Sequence, residues 1–440
     1  MRWLMHVVFL AAYAAPAAAQ VRTGNAAYGD WRTDAPGVAR LIRPADLPAP
    51  YATASASSGA NTVDRPAGVL PRVPPGFRVA PWTGKLARPR TIRVAPDGTV
   101  FIAEAGAGRV CAYRPAADGA RPEAEAVFAG GLDLPYGIAF WPPGPAPRAV
   151  YVGESGQVLR YPWHPGALRP DGPPRVIIAG LPEGGGHWTR DVAVSPDGTR
   201  LYVAVGSASD AAPDMSPLGA AARAALEARD GAGAAWGDEA DRADVLAFDP
   251  EGGGKRHVAN GLRNCSAMAV RPDGALWCAV NERDGLGDDL PPDYVTQVRP
   301  GGFYGWPWFY IGGHADPRHK GERPDLAGRV IMPDVLIQPH SAPLGLAFYD
   351  AGAFPPAYRD DAFVTLHGSW NRAHRTGYKL VRLRFRNGEP TGVYEDFMTG
   401  FVTEAGAVWG RPTGVAVMRD GALLVSEDVN GMVWRVRWGG

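Results

Sequence analysis

The sequence predicts an all-β protein, a six-bladed β-propeller with a non-repetitive N-terminal extension. Three observations lead there. Short runs of alternating apolar residues recur, and each leads through a tight turn, commonly Pro-Asp-Gly, into a second strand. Six such units occupy 76–440, about 60 residues each, which is room for four strands and their loops. Gly and Pro number 57 and 43 in 440 residues, a density that disfavours a mostly helical fold. A single blade cannot bury both of its faces, whereas a closed ring of six can.

The elements follow in order. Residues 1–19 read as a secretory signal: Arg2 supplies the positive end, 4–15 the apolar stretch, and Ala17, Ala18 and Ala19 the cleavage site. No later segment is apolar enough to span a bilayer, so a periplasmic or secreted protein is expected. Residues 20–75, rich in Ala, Pro, Ser and Gly, form an extension or an arm packed on the main domain, with 55–59 reading as linker. The unit turns are Pro96-Asp97-Gly98, Pro142-Pro143-Gly144, Pro196-Asp197-Gly198, Pro272-Asp273-Gly274 and Asp420-Gly421. The fifth unit, near 344–366, has a longer connection. An insertion at 217–244 places Leu218, Ala222, Ala225, Leu226 and Ala228 near helical spacing, as a short helix or lid.

Lys and Arg total 45 against 45 Asp and Glu. That balance provides no field for a phosphate backbone and argues against nucleic acid as a partner. Cys111, Cys265 and Cys278 are an odd set without zinc-ligand spacing. Direct cross-strand pairing about Asp273-Gly274 would set Cys265 and Cys278 opposite other residues, so a bridge between them is not expected. No Gly-x-Ser-x-Gly elbow, His-Glu-x-x-His or Walker loop occurs.

In a propeller, the loops before each inner strand converge on one end of the central channel. His187 and Arg190 stand at the start of the third unit, Arg263 and Asn264 at the fourth, Arg372 within the fifth and Arg411 at the sixth. Cationic or imidazole groups at matching places in four blades suggest an anionic ligand with several carboxylates, because guanidinium forks match carboxylates bidentately. The stretch 281–289 carries Glu282, Arg283, Asp284, Asp288 and Asp289, followed by a Gly-rich turn containing Tyr304. It reads equally as a source of hard oxygen ligands for calcium and as a solvated acidic loop.

Taken together, Gly186-His187-Trp188-Thr189-Arg190, Gly261-Leu262-Arg263-Asn264, the 281–289 loop, Gly302-Phe303-Tyr304-Gly305-Trp306-Pro307, His340-Ser341-Ala342-Pro343-Leu344-Gly345 and the 367–372 segment resemble the glucose/sorbosone dehydrogenase family. The likeness runs from about residue 74 to 438 and is greatest toward the sorbosone dehydrogenase-like branch. It implies a six-bladed enzyme that oxidises a sugar, or a sugar-derived alcohol or aldehyde, with pyrroloquinoline quinone (PQQ) and Ca²⁺, passing electrons to a cytochrome or quinone pool. It implies His187 as the general base, with an ordinary pKa near 6.5, and Arg190, Arg263, Asn264, Arg372 and Arg411 as cofactor contacts. Calcium would sit on backbone carbonyls of 281–284, with Glu282, Asp288, Asp289 and Tyr304 near a structural ion. Cys265 departs from the family pattern, where proline is usual. Two alternatives fit less of the sequence: a calcium-dependent propeller hydrolase of the lactonase kind, which leaves Arg263, Asn264 and Arg372 unexplained, and a non-catalytic binding propeller.

Overall fold

A computed structural model describes residues 20–439; the secretory-signal reading of 1–19 lies outside them. Six antiparallel four-stranded blades succeed one another in sequence. Their inner strands are Pro89–Val94, Ile138–Trp141, Val192–Val194, Cys265–Val270, Pro343–Phe348 and Pro412–Val417. Each lies beside the next, and the last meets the first, so the ring is closed. Phe77–Thr83 is the outer strand of blade 6, pairing antiparallel with Met432–Trp438. The start of the repeat region thus completes its final blade.

The recurring turns form for a local reason. In four of them the Asp carboxylate (Asp97, Asp197, Asp273, Asp420) accepts the backbone N–H two residues on, at 2.9–3.0 Å. The glycine that follows each Asp has φ between 70° and 95°, a region costly for other residues. Nearer the axis, Gly137, Gly345 and Gly414 each lie where a Cβ would strike the backbone of the next inner strand, so the strands approach closely. Arg93 of blade 1 crosses the axis to Asp191 (3.0 Å) and to the Met268 carbonyl (3.3 Å), tying blades 1, 3 and 4 together.

Two expectations are corrected. The 55–59 segment is no free linker: Ser55 Oγ accepts the Gly287 N–H, Ala56 N–H donates to Asp288, and Ser58 N–H donates to the Trp370 carbonyl. The whole arm is strapped down. Ala39–Arg40 adds a strand to the outer edge of blade 5, and Arg40 is fully buried between Asp34 and Asp396, each at 2.7 Å. Secondly, Cys265 and Cys278 are joined in a disulfide. The register does pair Cys265 with Val280 and Cys278 with Met268. Cys278 is nevertheless the diagonal neighbour of Cys265 on the same face, and a bulge after Cys265 sets their Cα atoms 5.7 Å apart.

The insertion forms a helix, α1 (Ala220–Asp230), and a short 3₁₀ turn, Gly237–Glu239. Both lie between the second and third strands of blade 3, Leu201–Val205 and Asp244–Phe248.

Candidate functional site

At the end of the channel opposite the Asp-Gly turns, the loops enclose a cavity of about 550 Å³. Each wall comes from the segment just before an inner strand or just after a second strand. Blade 3 supplies His187. Its Nδ1 lies 2.8 Å from the Ser207 carbonyl and 3.1 Å from Ser207 Oγ. With Nδ1–H donating to that carbonyl, Nε2 keeps its lone pair. Burial, and then the nearby Arg263 charge, push the imidazole down to about 3. The expected value near 6.5 is therefore corrected: His187 is neutral throughout the physiological range.

Blade 4 supplies Arg263 and Asn264. Arg263 grips the cavity edge, donating to the carbonyls of Glu282 (2.7 Å) and Asn281 (3.2 Å) and pairing with Asp210 at 2.8 Å. Asn264 Oδ1 is buried with no hydrogen-bond partner, and so is Glu282 Oε1 on the same lining, two exceptions to the rule that buried polar atoms are paired. Asp284 also lines the cavity. Its carboxylate accepts from Asn371 and lies 3.3 Å from His340 Nδ1. Asp293 stands close by, pushed up to about 7 by burial.

Blades 5, 6 and 1 supply a side that carries two guanidinium groups and an imidazole that burial holds below its ordinary pKa. Asp428 collects Arg90 (2.7 Å), Arg411 (2.9 Å) and His367 (3.0 Å). Arg90 also stands 5.7 Å from the ring centre of Trp188, an indole that lines the cavity. Trp188 packs edge-on against Tyr136, and Trp370, half exposed, stands at the mouth.

Of the residues singled out in sequence, His187, Arg263, Asn264, Glu282 and Asp284 meet at the cavity. Arg411 lies behind it, paired with Asp428, which also holds the lining His367. The others are engaged elsewhere. Arg190 is fully buried and caps the carbonyls of His187 (3.0 Å), Thr189 and Pro182. Arg283, also fully buried, pairs with Glu282 and Asp316, both at 2.9 Å. Asp288 accepts backbone N–H groups of Ala56 and Ala373. Arg372 pairs with Asp289 at 2.5 Å and donates to the Gly29 carbonyl, so it anchors the arm and does not face the cavity. Tyr304 donates to the Gln297 carbonyl inside the fold.

Among the described residues, no three or more His, Cys, Asp or Glu side chains are grouped to hold a metal ion. The oxygens that remain for a cation are the unpartnered Asn264 Oδ1 and Glu282 Oε1 and the Asn281 and Glu282 carbonyls, each with a second lone pair beside Arg263. That donor set suits a hard cation of the calcium class. Sequence reasoning missed Asp210, Asp293, His340, His367 and Asn371. Three of these sit in motifs that had been noticed as strings; Asp210 and Asp293 had no signal beyond following or opening a strand.

A family model described as TrAA12-like matches residues 71–302 and 320–439. An uncharacterized protein of Borreliella burgdorferi is 31% identical over 185 residues, 41% of this chain and 48% of that one. The pyrroloquinoline quinone-dependent pyranose dehydrogenase of Coprinopsis cinerea is 24% identical over 82% of this chain and 54% of its own length. The chain spans about half the length of the curated relatives it matches. The holo PQQ domain of the Coprinopsis enzyme superposes with a TM-score of 0.66 at 21% identity, covering 87% of this chain and all of that domain. The Trichoderma reesei family AA12 carbohydrate-active enzyme does so with a TM-score of 0.68 at 19% identity, covering 86% of this chain and 100% of that one.

Proposed function

The chain belongs to the TrAA12-like family, and from that premise we propose that it is an exported quinoprotein dehydrogenase. Its substrate is a pyranose or sorbosone-like sugar, oxidised with PQQ and calcium. The observation that carries this reading is the pairing of a neutral His187, its Nδ1 committed to Ser207, with the unpartnered Asn264 oxygen on the same cavity wall.

When bound, the quinone supplies the hydride acceptor and calcium the Lewis acid that polarises it. The chain's own residues do the rest. His187 Nε2 accepts the proton of the sugar hydroxyl as its C–H bond is oxidised. Arg90 and Arg411, held by Asp428 together with His367, place positive charge behind this wall for a carboxylated ligand. Asn264 and the 281–282 carbonyls would hold the cation. Trp188 offers a flat face to a planar ring, and Trp370 shields the mouth from water. Electrons leave to a separate acceptor, for which a cytochrome or quinone is the class proposed.

The test adds PQQ and Ca²⁺ to the apo-protein and follows dye-linked oxidation across a panel of aldoses and sorbosone, with His187→Ala in parallel. Turnover on at least one sugar, lowered about 10²–10⁴-fold in the variant, is expected. Failure to bind the quinone, or lactone hydrolysis that needs calcium but no quinone, overturns the reading.

A further inference from the structure

The insertion in blade 3 braces the base. Ser207 Oγ donates to the Ser209 carbonyl at 2.6 Å, so its proton is committed away from His187. Both groups that face Nδ1, the Ser207 carbonyl at 2.8 Å and the Ser207 Oγ lone pair at 3.1 Å, are therefore acceptors. Only an Nδ1–H tautomer satisfies them, and that tautomer leaves Nε2 basic.

What holds Ser209 in place is Glu239, on the Gly237–Glu239 turn of the insertion and 4% exposed. Its Oε1 accepts the Ser209 N–H (2.9 Å) and Ser209 Oγ–H (2.6 Å), and its Oε2 accepts the Ala208 N–H (2.7 Å). From the same insertion, Arg242 clamps the opposite side of the loop through the carbonyls of Gly206 (3.4 Å), Glu183 (2.5 Å) and Gly184 (3.2 Å).

We infer that Glu239 is a positioning residue that fixes the tautomer of His187 by holding the 207–209 turn. Without it the turn relaxes and the Ser207 hydroxyl is free to donate to Nδ1, which favours the Nε2–H form and removes the base. The inference rests on the proposed role of His187, but its primary readout does not. Nitrogen-15 NMR of histidine-labelled apo-protein reports which ring nitrogen carries the proton. The Nδ1–H form is expected in the wild type, and a mixture or the Nε2–H form in Glu239→Ala. Glu239→Gln keeps one acceptor oxygen and should fall between the two; it also stands in if the alanine variant does not fold. In the PQQ- and Ca²⁺-loaded protein, kcat should fall about tenfold or more while KM and quinone affinity stay within about twofold. An unchanged Nδ1–H tautomer in both folded variants overturns the brace. A shifted tautomer with unchanged kcat supports the brace and overturns His187 as the base.

Discussion

Gly206→Ala places a methyl group between His187 and Asn264. Its Cβ would stand 2.5 Å from Asn264 Oδ1 and 2.6 Å from His187 Cβ, roughly 1 Å inside an ordinary heavy-atom contact. Gly206 is not in the left-handed region, so backbone strain is not the issue. Nor is the backbone free to retreat: Arg242 holds the Gly206 carbonyl, and the next N–H donates to the Arg263 carbonyl at 2.8 Å. The side chains must move instead. Overpacking of this kind costs about 1–3 kcal/mol of stability. A base displaced by about 1 Å loses on the order of 10²-fold in rate. A urea unfolding curve and dye-linked turnover on the same preparation measure both effects. Wild-type turnover at an unchanged urea midpoint would show that the packing of these two residues does not set the site.

Three further outcomes are expected. Arg40→Met leaves Asp34 and Asp396 around Lys379 alone, and loss of one member of a buried ion cluster should cost about 3–5 kcal/mol in urea unfolding. Replacing both Cys265 and Cys278 with serine opens a link of 13 residues and should lower stability by about 3 kcal/mol in the same assay. His257 is raised to about 9: burial works against its charge, but Asp241, Asp244 and Asp230 outweigh it. A raised folded pKa means that this stability is fully present below the unfolded value near 6.5 and disappears as pH rises through 9. The stability difference between the wild type and His257→Gln, measured from pH 6 to 10, should therefore shrink with rising pH; a constant difference contradicts the assignment.

The repeats were legible because Asp-Gly turns and two-residue alternation are local and periodic. The outer strand of blade 6 was not, since its partner lies some 350 residues away and no local pattern marks the pairing. The site divided along the same line. His187, Arg263 and Asn264 precede inner strands, so their position in the repeat already aimed them at the channel. Arg372 stands in an equally suggestive motif. Its direction is set by Asp289 and the Gly29 carbonyl, the latter on an arm that the sequence presents as featureless. Carboxylate clustering at 281–289 was visible, but Asp288 and Asp289 are taken up by the arm and by Arg372. Adjacency along the chain does not reveal such commitments. The disulfide was missed because a one-residue bulge turns a diagonal pair into a bonded one.

The clasp between Phe77–Thr83 and Met432–Trp438 sets an order on the birth of the molecule. Five blades complete themselves from consecutive stretches of chain. The sixth cannot do so until its last strand has been made, and until then Phe77–Thr83 has no partner for its backbone. Throughout synthesis the growing ring shows open strand edges at both ends, the surfaces most prone to pair with another copy. Long-range closure of this kind is also slow. Any holding of the chain extended until residue 438 has been made would spare it that exposure.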